Sequence, residues 1–463
     1  MAAKVAIIGG GIAGSSVALF LAQEGYDITL FEQESSLVSG PPMCHLHAGG
    51  NLYPDISDEQ CIKLLKQSIE LIGYYPHTID YRPTLITYPK SSQENPKELH
   101  RRLDMLQIIY KELTQQDSTN KRLGEPENYF KSYSYKEAKA LQHNPLAVKE
   151  PKTLDEWMIQ TLREIDLEQL QYPLFIVQEY GLNLFRIAAS AELMLQKLPN
   201  VTLKLNTKAQ TLSRSQDKWL VNEESFDYLI NAAGFRSGII DDLIGKKRSR
   251  LVEFKAAYVS RWEKQEHLFP EIIFQGKRGT PEGMGQFTPY PAGYYQLHGM
   301  TQDITLYPHG LVKSSPLSAQ PRLSSEFLQK IEQKWEWSEV EQRTQAAIRH
   351  ISRYMPAFSS AKVAAKPLYG AQQIPGEDAT LRASEVSFES ENYARCETVK
   401  ASSVFTMAKD IAADMQTKGL IKATTQNVPH YTKEDVDKLA TQIAASREYP
   451  KAMAGITTLF PAT

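Results

Sequence analysis

Apolar residues change their spacing twice within the first thirty positions. Lys4 to Ile8 is a short run rich in β-branched residues and predicts a buried strand. Ser15 to Gln23 carries apolar residues at helical spacing until Gly25, and Asp27 to Phe31 returns to strand character. Further on, Ser57 to Glu59 reads as a helix start with Cys61 to Gly73 as its continuation, and residues 82–89 as a strand. Pro96 to Gln142 is charged and mostly helical. Residues 183–198 form an amphipathic pattern, followed by a period-two strand over 201–207, a hairpin over 209–225 with its turn at SQD, and a buried strand over 226–234 that ends in Ala233 and Gly234.

From Arg250 to Val312 the pattern predicts strands rich in Tyr and Phe and punctuated by Gly and Pro, which reads as an antiparallel sheet in a separate domain. Ser324 to Tyr354 is helical, Ala361 to Phe388 holds short strands, and 398–415 is a periodic helix. The closing residues read as a helical appendage. The expected division is therefore 1–75, 156–245 and 356–425 in a dinucleotide-binding domain, 76–155 and 246–355 in a substrate domain, and 426–463 as the appendage.

Between the first strand and helix stand Gly9, Gly11 and Gly14, a G-x-G-x-x-G spacing. Gly9 permits the turn, Gly11 admits phosphates to the backbone, Gly14 lets helix and strand approach, and the helix N-terminus offers unpaired N–H groups to an anion. Glu32 closes the second strand, where a carboxylate accepts hydrogen bonds from a ribose diol and repels a 2′-phosphate. This unit predicts a bound dinucleotide and leaves FAD and NAD both open.

Composition removes some alternatives. The 463 residues carry a net charge of −2, so no basic excess argues for nucleic acid. Three cysteines, Cys44, Cys61 and Cys396, show no CxxC pair, which fits a reducing compartment and predicts no metal site. The first strand begins too early for a secretory signal, and no stretch has the length of a membrane span. The expectation is a cytoplasmic protein, with peripheral contact at the inner membrane as the one membrane option.

In this order the GGGIAG turn with Glu32, the AGGNLYP stretch, the helix, strand and hairpin leading to NAAG, the aromatic sheet and the late helix resemble the D-amino-acid oxidase and glycine oxidase superfamily of FAD enzymes. The resemblance covers most of residues 1–420. It implies an α/β fold in which a Rossmann-like FAD-binding domain joins an α+β substrate domain with an antiparallel sheet. Gly9, Gly11 and Gly14 would then hold the FAD pyrophosphate, and Glu32 the adenosine ribose. His47, Ala48, Gly49, Gly50, Asn51 and Leu52 would lie beside the isoalloxazine, and Ala233 and Gly234 on the adenine side. Where the family has a Gly-rich turn before its last helix, YARCETVKASS stands here, and Glu397, Thr398, Val399 and Lys400 would offer helix N-terminal amides to the flavin. Where amine oxidases of the family place an Arg for the substrate carboxylate, Gln372 and Gln373 stand instead, with Arg382 or Arg236 as replacements.

The implied activity is hydride transfer from a C–N or C–O bond of a small amine, amino acid or hydroxy acid to FAD, with oxygen or a quinone as acceptor. His45 and His47 flank the flavin loop as a base, a covalent tether, or plain hydrogen-bonded loop residues. Tyr258 and Tyr294 are the aromatic candidates, against the blander reading that they pack. Alternation puts Tyr294, Gln296 and His298 on one face. Cys44 reads as a reactive thiol, a tether or a small buried hydrophobe. Rival readings are a malate or 2-hydroxyglutarate type quinone-linked dehydrogenase, a tRNA-modifying FAD oxidase, and a silent flavin-binding subunit.

Overall fold

The computed structural model describes residues 2–51, 56–145, 149–263, 267–379, 381, 386–389, 391–398 and 400–458. Leu52, Arg382 and Val399 lie outside the described residues. Two sheets carry the architecture.

The first sheet has the order Val386–Glu389, Tyr393–Cys396, Tyr228–Asn231, Lys4–Ile8, Asp27–Phe31, Val201–Lys204. Every pair is parallel except the outermost, Val386–Glu389 against Tyr393–Cys396. Helices Ile12–Gln23, Leu184–Lys197 and Val404–Thr417 pack together over one face. The first strand and helix are buried almost throughout. That helix is apolar on all sides, as an element between a sheet and other helices must be. The hairpin strands Leu212–Ser215 and Lys218–Val221 form with Glu224–Phe226 a separate three-stranded sheet.

The second sheet has nine strands, and Glu271–Phe274 and Thr84–Pro89 form its parallel pair. Three segments differ from the expected division. Leu170–Val177 pairs with Thr84–Pro89, and Lys362–Pro375 runs antiparallel along Arg250–Arg261, so both are hydrogen-bonded into this sheet. The C-terminal helix Lys433–Ser446 is no appendage, because Val436, Ala440, Ile443 and Ala444 are buried in the same core as the first helix. A strand expected over 303–310 is replaced by turns, with strand only at Leu311–Lys313. The last periodic helix starts later than expected, after a 3-10 turn at Ala401–Ser403.

Pairing within the second sheet brings its polar residues onto one face. Gln296, Thr288 and Glu271 share one cross-strand row, His298, Gln286 and Ile273 the next, and Lys255, Met300 and Met284 lie one row further along. Since alternate residues along a strand are about 6.7 Å apart and neighbouring strands about 4.8 Å apart, Lys255, two rows along and three strands across, stands roughly 20 Å from Glu271.

Candidate active site

A cavity of about 610 Å³ runs between the two sheets. Its dinucleotide end is lined by Gly9, Gly11, Glu32, Ala233 and Gly234, and its sheet end by Lys255, Arg278, Gln286 and His298. His45, His47 and Asn51 line the stretch between.

At the first end, Gly9 has φ +101°, and a Cβ there would lie 2.5 Å from the Ala232 carbonyl oxygen. A Cβ on Gly14 would lie 1.8 Å from the Gly9 oxygen, whereas nothing stands within 4 Å of a Cβ on Gly11. Gly9 and Gly14 thus fit the protein to itself, and Gly11 faces the open cavity. The Glu32 carboxylate accepts the Gly10 N–H at 2.6 Å and the Glu34 N–H at 2.8 Å. Burial raises its pKa, against which these backbone bonds act.

The flavin-loop expectations divide. Ala48, Gly49 and Gly50 do not line the cavity; they sit behind its wall. A Cβ on Gly49 would meet the Cys61 carbonyl oxygen at 2.5 Å, and Gly50 N–H donates to Glu179 Oε1 at 2.5 Å. Glu179 is fully buried, and desolvation pushes its pKa up to about 7. Thr398 and Lys400 do line the cavity.

His45 is the centre of a buried ionic chain. Its Nδ1–H donates to Glu271 Oε1 at 2.5 Å, and the Asn51 side-chain amide lies 3.0 Å from Nε2. Glu271 also accepts Gln286 Nε2 at 2.6 Å on Oε1 and Arg82 Nη1 at 2.8 Å on Oε2. Burial alone would strip His45 of its proton, but Cys44 and Glu271 outweigh it and hold the imidazole well above its usual pKa. Glu271 is likewise buried, and His45 and Arg82 bring it down to about 2. Cys44, His45 and Glu271 place metal-ligand atoms within 4.8 Å of one another. Both Glu271 oxygens are already taken by N–H donors, one of them a guanidinium, so the cluster is hydrogen-bonded in character.

The sheet end holds cations that the sequence reading missed. Lys255 Nζ lies 3.0 Å from Glu253 Oε2, and Arg278 pairs with the other oxygen of the same carboxylate. Two cations thus converge on one carboxylate along this stretch of the wall. His298 beside them is kept neutral, its pKa lowered to about 3 by burial and then by Lys255 and Arg278.

Two aromatic expectations are corrected. Tyr258 is fully buried in the core of the second sheet, its hydroxyl 2.5 Å from that of Tyr307, and it does not reach the cavity. Tyr294 shares a face with Gln296 and His298 but lies at the strand's start, beneath the Arg261 guanidinium and outside the cavity. Gln372 and Gln373 line the cavity, the latter donating to the Cys396 carbonyl at 2.9 Å. Arg236 also lines it and is paired with Glu332 at 2.5 Å. The supposed appendage contributes Arg447 and Tyr449 to the wall. Arg447 donates to the Leu37 and Val38 carbonyls at 2.5 and 3.1 Å, fixing the loop beyond Glu32.

Residues 4–150 match the family model DAO, FAD dependent oxidoreductase. No curated protein matches the sequence. Among solved structures, the fold is similar to L-proline dehydrogenase from P. horikoshii, with a TM-score of 0.56 at 15% identity over 91% of this chain and 95% of that one. It is equally similar to glycine oxidase from Geobacillus kaustophilus, with a TM-score of 0.56 at 12% identity over 93% of this chain and 100% of the other. An FAD-bound L-alpha-glycerophosphate oxidase from Mycoplasma pneumoniae gives 0.54 at 15%, covering 93% and 99%. At these identities the likeness is one of fold.

Proposed function

We propose that this chain, whose residues 4–150 match the family model DAO, FAD dependent oxidoreductase, oxidises the C–N bond of a small amine or amino acid bearing a carboxylate. The observation that carries this reading is one continuous cavity with a dinucleotide-type wall at one end and, at the other, a sheet that brings Lys255 and Arg278 to the lining around Glu253. The residues present fit FAD. Gly11 leaves open space for a pyrophosphate, the Ile12–Gln23 helix points its N-terminus at that space, and Glu32 is buried and anchored beside it. Bound FAD supplies the hydride acceptor.

The chain's own residues have three tasks. Lys255 and Arg278, the cations at the sheet end of the lining, hold the substrate carboxylate. Neutral His298 and Gln286 orient the substrate by hydrogen bonds without adding charge. His45 keeps a proton, and with it a positive charge, next to the flavin loop.

That protonation favours C–N over C–O chemistry. A hydroxyl substrate needs a base near neutral pKa. His45 is held protonated, His298 is too weak a base and Glu179 stands behind the wall, which leaves His47 as the remaining imidazole on the lining for that task. An amine arriving unprotonated needs none.

The test is an anaerobic panel of amines, amino acids and hydroxy acids added to the purified yellow protein, reading loss of flavin absorbance. Bleaching by carboxylate-bearing amines is expected. A colourless protein that takes up no FAD, or bleaching by hydroxy acids alone, overturns the reading.

A further inference from the structure

The ionic chain that ends at His45 does not start in the cavity. It starts at the C-terminal tail. Asp80, buried at the junction of three short segments, accepts Thr457 Oγ1 at 2.8 Å, Thr458 N–H at 2.9 Å and Thr458 Oγ1 at 2.9 Å. Its Oδ2, which also accepts from Thr457 Oγ1 at 2.8 Å, faces Arg82 Nε at 3.5 Å. Arg82 then donates to Glu271 at 2.8 Å and to the Cys44 carbonyl at 3.1 Å, and Glu271 binds His45.

The backbone runs the same way. Asp80 pairs with Gly181, Gly181 bridges to His45, and Leu182 N–H donates to the Cys44 carbonyl at 3.0 Å. A Cβ on Gly181 would lie 2.7 Å from Arg82 Nη2, so the guanidinium is pressed between the two strands. The tail is pinned just upstream, where Asn183 Nδ2 donates to the Met453 and Gly455 carbonyls at 2.8 and 3.0 Å.

We propose that Thr457 and Thr458 are positioning residues for the active site, acting through Asp80, Arg82 and Glu271 to set the proton on His45. This rests on the reading of His45 as a proton-bearing group in the flavin cavity. The charged and titratable groups facing His45 are Cys44 and His47 from its own loop, Glu271 from the sheet with Arg82 behind it, and Glu179 from the Gly50 side.

The geometry predicts shifts of opposite sign. Removing the Asp80 charge leaves Arg82 with Glu271 as its one remaining carboxylate partner, so the guanidinium takes more of the charge that His45 shares, and His45 loses its proton more easily. Removing the two threonine hydroxyls frees Asp80 to close its 3.5 Å gap to Arg82 and draw the guanidinium from Glu271. Glu271 then serves His45 more fully, and the proton is held more tightly. A merely structural tail would not move the two variants apart.

The experiment is a pH titration of the flavin absorption spectrum in FAD-loaded, substrate-free protein, comparing wild type with Asp80→Asn, the double variant Thr457→Val/Thr458→Val, and Glu271→Gln. The midpoint is expected to fall by about one pH unit in Asp80→Asn, to fall further in Glu271→Gln, and to rise in the threonine variant. The hydroxyl-to-methyl changes are nearly isosteric, which keeps the test available should Asp80→Asn fail to fold. If Glu271→Gln moves the midpoint while the threonine variant and Asp80→Asn leave it in place, the link to the tail is overturned and the reading of His45 stands. If Glu271→Gln leaves it unmoved, the reading of His45 itself fails, and this inference with it.

Discussion

Substituting alanine separately at Gly11 and Gly14 distinguishes a glycine that serves the ligand from one that serves the fold. At Gly14 the new Cβ would sit 1.8 Å from the Gly9 carbonyl oxygen, against an ordinary C···O contact of about 3.3 Å. The obstacle is backbone, so helix and strand must part, at a cost of about 1–3 kcal/mol in overpacking. Gly11 has φ −61° and ψ −177°, extended backbone that alanine adopts freely, with nothing within 4 Å of the new atom. The apoprotein should therefore keep its stability or gain about 0.4–1 kcal/mol from the reduced freedom of the unfolded chain. The methyl group points at the space reserved for the pyrophosphate, however. Losing one charge-assisted N–H contact there costs about 1.5–3 kcal/mol, or roughly a tenfold to hundredfold rise in Kd. Thermal unfolding of apoprotein and fluorescence titration with FAD separate the two effects. Gly11→Ala should melt like wild type and bind weakly, whereas Gly14→Ala should lose both. A Gly11→Ala protein that binds FAD as tightly as wild type refutes the placement of the phosphates.

Three further outcomes follow from the charged groups in and behind the cavity wall. Glu271→Gln strands Arg82 and His45 and should destabilise the protein by roughly 3–5 kcal/mol. Because Glu271 is depressed to about 2 and His45 is raised, that difference should be full between about pH 4.5 and 6.5, shrinking below as Glu271 protonates and above 6.5 until the folded His45 has lost its proton; denaturant melts across pH read it, and a pH-independent difference contradicts the pairing. Glu179 is raised to about 7, so the folded protein favours its protonated form and the wild type should lose stability as pH climbs from about 4.5 to 7; Glu179→Gln should flatten that slope, and parallel Tm profiles would contradict it. Arg278→Met should raise KM for carboxylate-bearing substrates by roughly tenfold to a hundredfold and leave flavin reduction by dithionite unchanged, while an unchanged KM would move the carboxylate elsewhere.

Legibility in the sequence followed the range of the interactions. The first thirty-two residues were readable because strand, turn, helix and carboxylate are all local, and Gly9, Gly14 and Glu32 stand where their spacing puts them. The strands of the second sheet were readable as strands, but their partners were not. Leu170–Val177 went unread, and its pairing with Thr84–Pro89 joins segments eighty residues apart. Tyr258 was assigned to the site because it is aromatic and lies in the right strand. It sits on the opposite face from Glu253 and Lys255, and a register irregularity beside it at Ala257/Val259 shows how poorly simple alternation describes that strand. Glu271 stands as a single charge among apolar neighbours, Glu179 follows Gln178 in an otherwise apolar stretch, Lys255 lies two residues from Glu253 and Arg278 beside Lys277, and nothing in the chain marks them as site residues until the fold brings their partners close. The last helix is illegible for the same reason, since its main partner, the Leu184–Lys197 helix, lies more than two hundred residues earlier in the chain.

That helix bears on how the protein is made. Arg447 and Tyr449 complete the wall of a cavity whose other side is built from the first forty residues, and Arg447 ties down the loop after Glu32. On a ribosome the glycine turn is exposed early, yet the compartment it belongs to stays unsealed until residues 447–449 have also left the exit tunnel. Closure around the cofactor thereby waits for that segment, and a chain cut before Arg447 is left with an open slot in place of a closed one.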